Sequence, residues 1–136
     1  MKILVIDGQG GQLGAQVIKS VKARFADAEI TAVGTNSAAT MSMLKAGADN
    51  AATGENPVKV ACRSADVIIG PVGIVIADSL FGEITPDMAV AVGRADAVRI
   101  LIPMNKCENQ VAGVSDLSTA ALINDVTEKL AKLDIE

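Results

Sequence analysis

Lys2-Ile3-Leu4-Val5-Ile6-Asp7-Gly8-Gln9-Gly10-Gly11-Gln12-Leu13-Gly14 is the stretch that sets the fold of this chain. Lys2 to Ile6 is a continuous apolar run, the pattern of a strand buried on both faces of a parallel sheet. A glycine-dense turn follows. Beyond it Leu13, Val17, Val21 and Phe25 recur at helical spacing, with Ile18 widening the apolar face and Lys19, Lys22 and Arg24 largely opposite. A buried strand, a glycine turn and a helix open a mononucleotide-binding α/β unit. Glycines let backbone N–H groups approach a phosphate, and the helix N-terminus meets it with partial positive charge. The stretch predicts where a ligand sits and names no reaction.

The rest of the sequence repeats the alternation. Glu29 to Val33 predicts a second strand, and Ser37 caps a second helix to Ala46 that Gly47 stops. Asn50 to Thr53 predicts an edge strand, Asn56-Pro57 a helix start, and Asp66 to Ile69 a strand ending in Gly70-Pro71-Val72-Gly73. Ile74 to Phe81 fits helix or strand, and helix is the preferred reading. Thr85-Pro86 opens a helix through about Val92, Val98 to Ile102 is a strand stopped by Pro103, and Gln110 to Val114 is a last strand. Ser115 or Ser118 opens a C-terminal helix that turns Ile123, Val126, Leu130 and Leu133 inward, with Asp125/Lys129 and Glu128/Lys132 as outward pairs. Strands alternating with helices over short connections predict an α/β fold. One domain over 1–136 is expected, a doubly wound, mainly parallel sheet with helices on both faces.

Apolar residues make up 50% of the chain but aromatics only 1%, so small aliphatic side chains pack the helices closely on the sheet. A chain near this length buries about 68–70% of its unfolded surface and needs neither disulfide nor metal. The net charge of −4, with no basic block, argues against nucleic acid and anionic membrane surfaces. Phe25 and Phe81 give bases no stacking platform. The sequence has no histidine, tyrosine or tryptophan, which excludes histidine triads, histidine metal sites and a tyrosine acid. Cys62 and Cys107 lack metal-ligand spacing and read as reduced thiols of a cytoplasmic protein, with Cys62 in the core. The N-terminal apolar run is too short for a signal peptide, and no stretch reaches membrane-spanning length.

Gly8, Gly11 and Gly14 give the spacing G-x-x-G-x-x-G, which resembles the first turn of extended short-chain dehydrogenases. Gly8 and Gly10 also start the G-x-G form, but Leu13 stands at its third glycine. The resemblance covers the first βαβ unit. It implies a Rossmann-like fold with an NADP or NAD site at Asp7, Gly8, Gln9, Gly10, Gly11 and Gly14. Asp66-Val67-Ile68-Ile69-Gly70 resembles the fourth strand of the same folds, whose end lies beside the cofactor. A second likeness spans nearly the full length. Its segments are Ile6 to Gly11, Ala32 to Ser37, Ala52 to Pro57, Gly70 to Ser79 and Ile102 to Cys107. Through these the chain resembles a family of short bacterial proteins known only as a domain of unknown function. That implies a cytosolic stand-alone protein and brings no activity.

Three features depart from a standard dinucleotide site. The second strand ends in Gly34-Thr35-Asn36-Ser37, without the acidic residue that would hold an NAD ribose. The hydroxyls and helix start there would instead meet a 2′-phosphate, unassisted by arginine. No Tyr-x-x-x-Lys pair is present, so the hydride chemistry of the dehydrogenases does not carry over. Asp7 stands at the mouth of the turn. Two unit charges 4 Å apart repel by about 4 kcal/mol at an effective dielectric of about 20. A helix N-terminus offers only about 0.3–1 kcal/mol, or ~2 when partly buried. Asp7 therefore points away, is hydrogen-bonded to backbone, or binds through a cation such as magnesium. The deviant phosphate loop of ParA-like ATPases is a poorer match, because Gln9, Gly14 and Ala15 stand where it needs lysines and a hydroxyl.

Ligands of a parallel α/β sheet lie beyond the carboxyl ends of its strands. Four segments converge there: Asp7 to Gly11, the Thr35, Asn36 and Ser37 turn after Gly34, the Gly70, Pro71 and Gly73 turn, and Pro103 to Cys107. Lys106 offers charge to a phosphate or carboxylate, and Cys107 a nucleophile if Lys106 lowers its pKa; the plainer reading is a solvated lysine beside an ordinary thiol. Asp78, Ser79 and Glu83 offer an acid/base carboxylate or only surface polarity. Together the residues favour a nucleotide- or dinucleotide-binding module without a complete catalytic set. One alternative is a small enzyme acting on a phosphorylated metabolite through Lys106, Cys107 and Asp7 or Asp78. Another is a structural oligomerisation domain. A homodimer is expected, because Ile74-Val75-Ile76-Ala77 and Leu80-Phe81 are more apolar than one helix face needs.

Overall fold

The computed structural model of the chain describes residues 1–104 and 108–133. Its strands are β1 (Lys2–Asp7), β2 (Glu29–Gly34), β3 (Asn50–Thr53), β4 (Val67–Pro71) and β5 (Val98–Ile102). Its helices are α1 (Gln12–Arg24), α2 (Ser37–Lys45), α3 (Glu55–Cys62), α4 (Pro86–Arg94) and α5 (Thr119–Ala131). All strand pairs are parallel, in the order β3-β2-β1-β4-β5. The chain winds from β1 outward to β3, then crosses to β4 on the far side of β1. This is the Rossmann-like, doubly wound order, and its reversal point lies between β1 and β4.

Alternation along the strands divides the core in two. Ile3 and Val5 of β1, Ile30 and Ala32 of β2, and Val67 and Ile69 of β4 pack against Val17, Ile18 and Val21 of α1, Met43 of α2, and Ile123, Val126 and Leu130 of α5. Leu4, Ile6, Val33 and Ile68 face the other way, onto Val58 and Cys62 of α3 and Met88 and Val92 of α4. A strand covered on both faces must be apolar at every position, which is why Lys2 to Ile6 shows no polar alternation. Each large aliphatic side chain fully withdrawn from water contributes about 1.5–3 kcal/mol toward folding.

Helix starts follow local hydrogen-bonding chemistry. Thr85 Oγ1 accepts from Met88 N at 3.1 Å at the start of α4, and Ser118 Oγ from Ala121 N at 3.1 Å at the start of α5. Asn36, not Ser37, caps α2: its Oδ1 accepts from Ala39 N at 2.9 Å. α3 begins at Glu55 after Gly54, so Pro57 sits in its first turn and Asn56 is not the cap. On α5 the Asp125–Lys129 pair forms at 2.6 Å, whereas Glu128 turns to Arg24 of α1 at 2.7 Å.

Two expected elements are replaced. Ile74 to Phe81 is neither helix nor strand: a 3-10 turn covers Val72–Val75, and further turns follow to Ile84. Left-handed backbone at Asp78 (φ 64), Leu80 (φ 55) and Phe81 (φ 55) breaks any helix there. Gln110 to Val114 makes no strand. Val111 and Val114 are exposed and the segment closes on a turn bond from Val114 N to Val111 O at 3.3 Å.

Candidate functional site

Strand register aligns the carboxyl ends that build the site. Asp7 pairs with Gly34, Gly34 with Thr53, and Pro71 with Ile102. The glycine turn leaves β1 at Asp7 and closes with Gly11 N donating to Gly8 O at 2.9 Å. It is tied sideways to α2. Asn36 Nδ2 donates to Gln9 O at 2.8 Å and Ser42 Oγ to Gly10 O at 2.9 Å.

Of the placements open to Asp7, the chain takes the inward one. Its side chain is only 3% exposed. Oδ1 accepts from Gly8 N at 2.8 Å and Oδ2 from Gly14 N at 2.7 Å. Asp7 thus caps the α1 N-terminus from within, each of its oxygens accepting from a backbone donor. Burial pushes its carboxyl up; the bonds from Gly14 and Gly8 pull it down, and the Glu83 charge adds to the rise, for a net upward shift.

The motif glycines are held by packing. A Cβ on Gly8 would meet Thr35 Oγ1 at 2.7 Å, and one on Gly14 the Met43 sulfur at 2.6 Å. Gly11 is left-handed at φ 74, and its Cβ would lie 2.7 Å from both Cα and O of Ala39. Gly10 differs from all three. Its backbone is not left-handed, and the nearest atom to its Cβ is Gln12 Cγ at 3.9 Å. Left-handed backbone occurs instead at Gln9 (φ 51), which is not a glycine.

Beside Gly10 the turn opens on a cleft of about 200 Å³, lined by Asp7 to Leu13, Gln16, Met104 and Thr119. The N–H groups of Gly10, Gln12 and Leu13 find no acceptor among the described residues. The last two are the first N–H groups of α1, which have no intrahelical partner. Three larger hollows lie elsewhere, one of them, of about 380 Å³, at the start of β5 beside Asp66, Ala95 and Arg99. A second of about 420 Å³ is set against the face of β1 and β2 beside α3, with Pro57, Val60 and Ala61 on its wall. Another of about 560 Å³ runs between α1 and α5. None includes the strand ends where α/β sheets bind ligands.

On the β2 side the turn meets a carboxylate from a distant part of the chain. Glu83 Oε1 accepts from Gln9 N at 3.0 Å, from Asn36 Nδ2 at 2.8 Å and from the Thr35 hydroxyl. Burial pushes the Glu83 carboxyl up, but the bonds from Thr35, Gln9 and Asn36 together outweigh it and hold it below the ordinary range. The loop that delivers Glu83 contains the left-handed Asp78, Leu80 and Phe81. Such residues cost about 1–3 kcal/mol each and persist where their surroundings hold them. Here Leu80 is inserted into the core at 2% exposure and Ser79 Oγ donates to Gly73 O.

A family model described as a domain of unknown function, DUF3842, matches residues 2–134. The chain belongs to this family. Among solved structures, a dodecameric FMN-dependent UbiX-like decarboxylase from Escherichia coli O157:H7 is similar at 16% identity, with a TM-score of 0.47, over 97% of this chain and 75% of that one. No curated protein matches the chain.

Of the expected site residues, the DUF3842 chain brings together Asp7, Gly8, Gln9, Gly10, Gly11 and Gly14 with Thr35 and Asn36. Ser37 opens α2, and its side chain makes no hydrogen bond among the described residues. Gly70, Pro71 and Gly73 are buried and do not line the cleft; a Cβ on Gly70 would meet Ile6 O at 2.5 Å. Asp78 is exposed, away from the turn's hydrogen bonds. Lys106 and Cys107 lie outside the described residues. Cys62 is in the core at 7% exposure, where burial pushes its thiol up. Glu83, expected only as an acid/base carboxylate or surface polarity, is bonded instead to the glycine turn and the end of β2, a place the sequence did not reveal. Its signal, Gly82-Glu83 after an apolar run, is shared by many surface turns. Among the described residues no cluster of His, Cys, Asp or Glu is placed to hold a metal, and no helix is long and apolar enough to cross a membrane.

Proposed function

We propose that the glycine turn binds the phosphates of a nucleotide or dinucleotide of the NAD or NADP kind, and that the chain acts as a binding module rather than a self-sufficient enzyme. Gly10 carries this reading. Neither the bend nor the packing requires a glycine there, and close approach of a ligand does. The N–H groups of Gly10, Gln12 and Leu13 supply donors, and Asp7 directs its carboxyl oxygens to Gly8 N and Gly14 N instead of to these three. The DUF3842 chain would hold the phosphates at the start of α1 and the base and its ribose along the end of β2. The cofactor would supply any redox chemistry; the protein's part is binding and orientation. The enzyme alternative gains no support from Asp78, which is exposed. A homodimer joined through the loop of Phe81, whose side chain is 99% exposed, belongs to the same proposal.

Thermal denaturation with NAD, NADP, ADP and ATP, with and without magnesium, tests the reading. Ligand at 100 times its dissociation constant adds about 2.7 kcal/mol. Gly10→Glu should remove that stabilisation and leave the melting temperature of the free protein unchanged. Binding that survives this substitution would place the site elsewhere.

A further inference from the structure

Resting on the nucleotide reading, we propose that Glu83 is the acceptor for the ribose hydroxyls, and that it makes the site select a nucleotide with a free 2′-hydroxyl over one carrying a 2′-phosphate. In dinucleotide-binding sheets of this order a carboxylate at the end of the second strand holds the ribose 2′-hydroxyl. The DUF3842 chain has Gly34-Thr35-Asn36 at that point and no acid. The carboxylate arrives from the opposite direction, on the loop between β4 and α4. Its Oε1 bridges the glycine turn at Gln9 N and the end of β2 at Thr35 and Asn36.

Two details make Glu83 a recognition group rather than a plug. First, its two oxygens are used unequally. Oε1 takes all three donors, whereas Oε2 accepts from none of the described residues, and the side chain is only half-buried. One oxygen is fixed to the protein and the other remains as an acceptor for a hydroxyl pair. Second, the groups that would have favoured a 2′-phosphate are already spent. The Thr35 hydroxyl donates to Glu83, and Asn36 Nδ2 is shared between Glu83 and Gln9 O. Asn36 Oδ1 accepts from Ala39 N. A phosphate there would face an ionised carboxylate, and among the described residues no lysine or arginine donates to this network. The loop geometry fits a fixed role. Gly8, in contact range of both Leu80 and Glu83, leaves no room for a side chain that would displace them.

Calorimetric titration of the whole chain with NAD and NADP tests the proposal. The wild type should bind NAD at least tenfold more tightly than NADP. Glu83→Gln keeps the shape and the Oε1 acceptor but replaces Oε2 by a donor. It should weaken NAD about tenfold and close the gap to NADP. Equal affinity of the wild type for the two, or a preference unchanged in Glu83→Gln, would overturn the role of Glu83 while leaving nucleotide binding in place. Binding of neither would overturn the nucleotide reading and this inference with it. Should Glu83→Gln fail to fold, ADP against 2′-deoxy-ADP on the wild type decides the matter. Weaker binding of the deoxy compound supports the ribose contact, and equal binding refutes it.

Discussion

Replacing Gly11 by alanine should separate the glycines that build the turn from the one that faces a ligand. At φ 74 a residue with a Cβ costs about 1–2 kcal/mol more than glycine. The new Cβ would also sit 2.7 Å from Cα and O of Ala39, which are backbone atoms of α2 and cannot rotate away. Overpacking of this kind costs about 1–3 kcal/mol. The loss of unfolded-chain entropy on replacing glycine returns about 0.4–1 kcal/mol. Gly11→Ala should therefore lose about 1–5 kcal/mol net. Gly10→Ala, with its Cβ 3.9 Å from the nearest atom, should stay within about 0.5 kcal/mol of wild type. Urea unfolding followed by circular dichroism measures both, with an unchanged m-value as the check that only stability moved. A Gly11→Ala protein as stable as wild type would refute the packing argument. A Gly10→Ala protein as damaged as Gly11→Ala would remove the reason for assigning Gly10 to a ligand.

Other consequences follow from the same geometry. Asp7→Ala strands the N–H groups of Gly8 and Gly14 and should cost about 2–4 kcal/mol in urea unfolding, the loss of two charged hydrogen bonds offset by release of a buried charge. Because the folded protein raises the Asp7 carboxyl, the native state takes up its proton at a higher pH than the unfolded chain, so the contribution of Asp7 to stability should grow as pH falls from 7 toward 4. The gap between wild type and Asp7→Ala should widen over that range; a narrowing gap would mean that Asp7 is stabilised as the anion. Asp49, lowered by its bonds from Ile30 N and Lys22, should act in the opposite sense, its contribution being present above about pH 4 and lost on acidification. Phe81→Ser should shift light scattering from dimer to monomer with the melting curve of the subunit unchanged. A wild type that is monomeric at tens of micromolar would remove the dimer. Cys62 should resist iodoacetamide in the native protein and react once urea unfolds it, and rapid native labelling would contradict its burial.

The legible part of this fold was periodic. Apolar runs without alternation marked β1 and β4, helical spacing marked α1 and α5, and Thr85 marked the start of α4, while of the two serines offered for α5 the structure uses Ser118. The loop from Ile74 to Phe81 was illegible for a physical reason. Its shape depends on three left-handed non-glycine residues held by Leu80 in the core, and no local preference predicts such a conformation. Glu83 was hidden by the same loop, because the partners that place it lie 47, 48 and 74 positions away. The Asp7 problem was posed by charge arithmetic, but its solution needed geometry, since only the distance to Gly14 N shows which way the carboxylate turns. Spacing alone offered Gly8, Gly11 and Gly14 or Gly8 and Gly10 as the phosphate glycines, whereas in the structure Gly8, Gly11 and Gly14 are held by packing and Gly10, also on the cleft, is not.

The most direct test of the account is a backbone-amide NMR titration of the 13.9 kDa chain with ADP. The amides of Gly10, Gln12 and Leu13 should shift and saturate together, with Gln9 and Asn36 following through Glu83. Shifts confined to the hollow at Val60 and Ala61, or no saturable shift at the turn, would contradict nucleotide binding by this glycine turn.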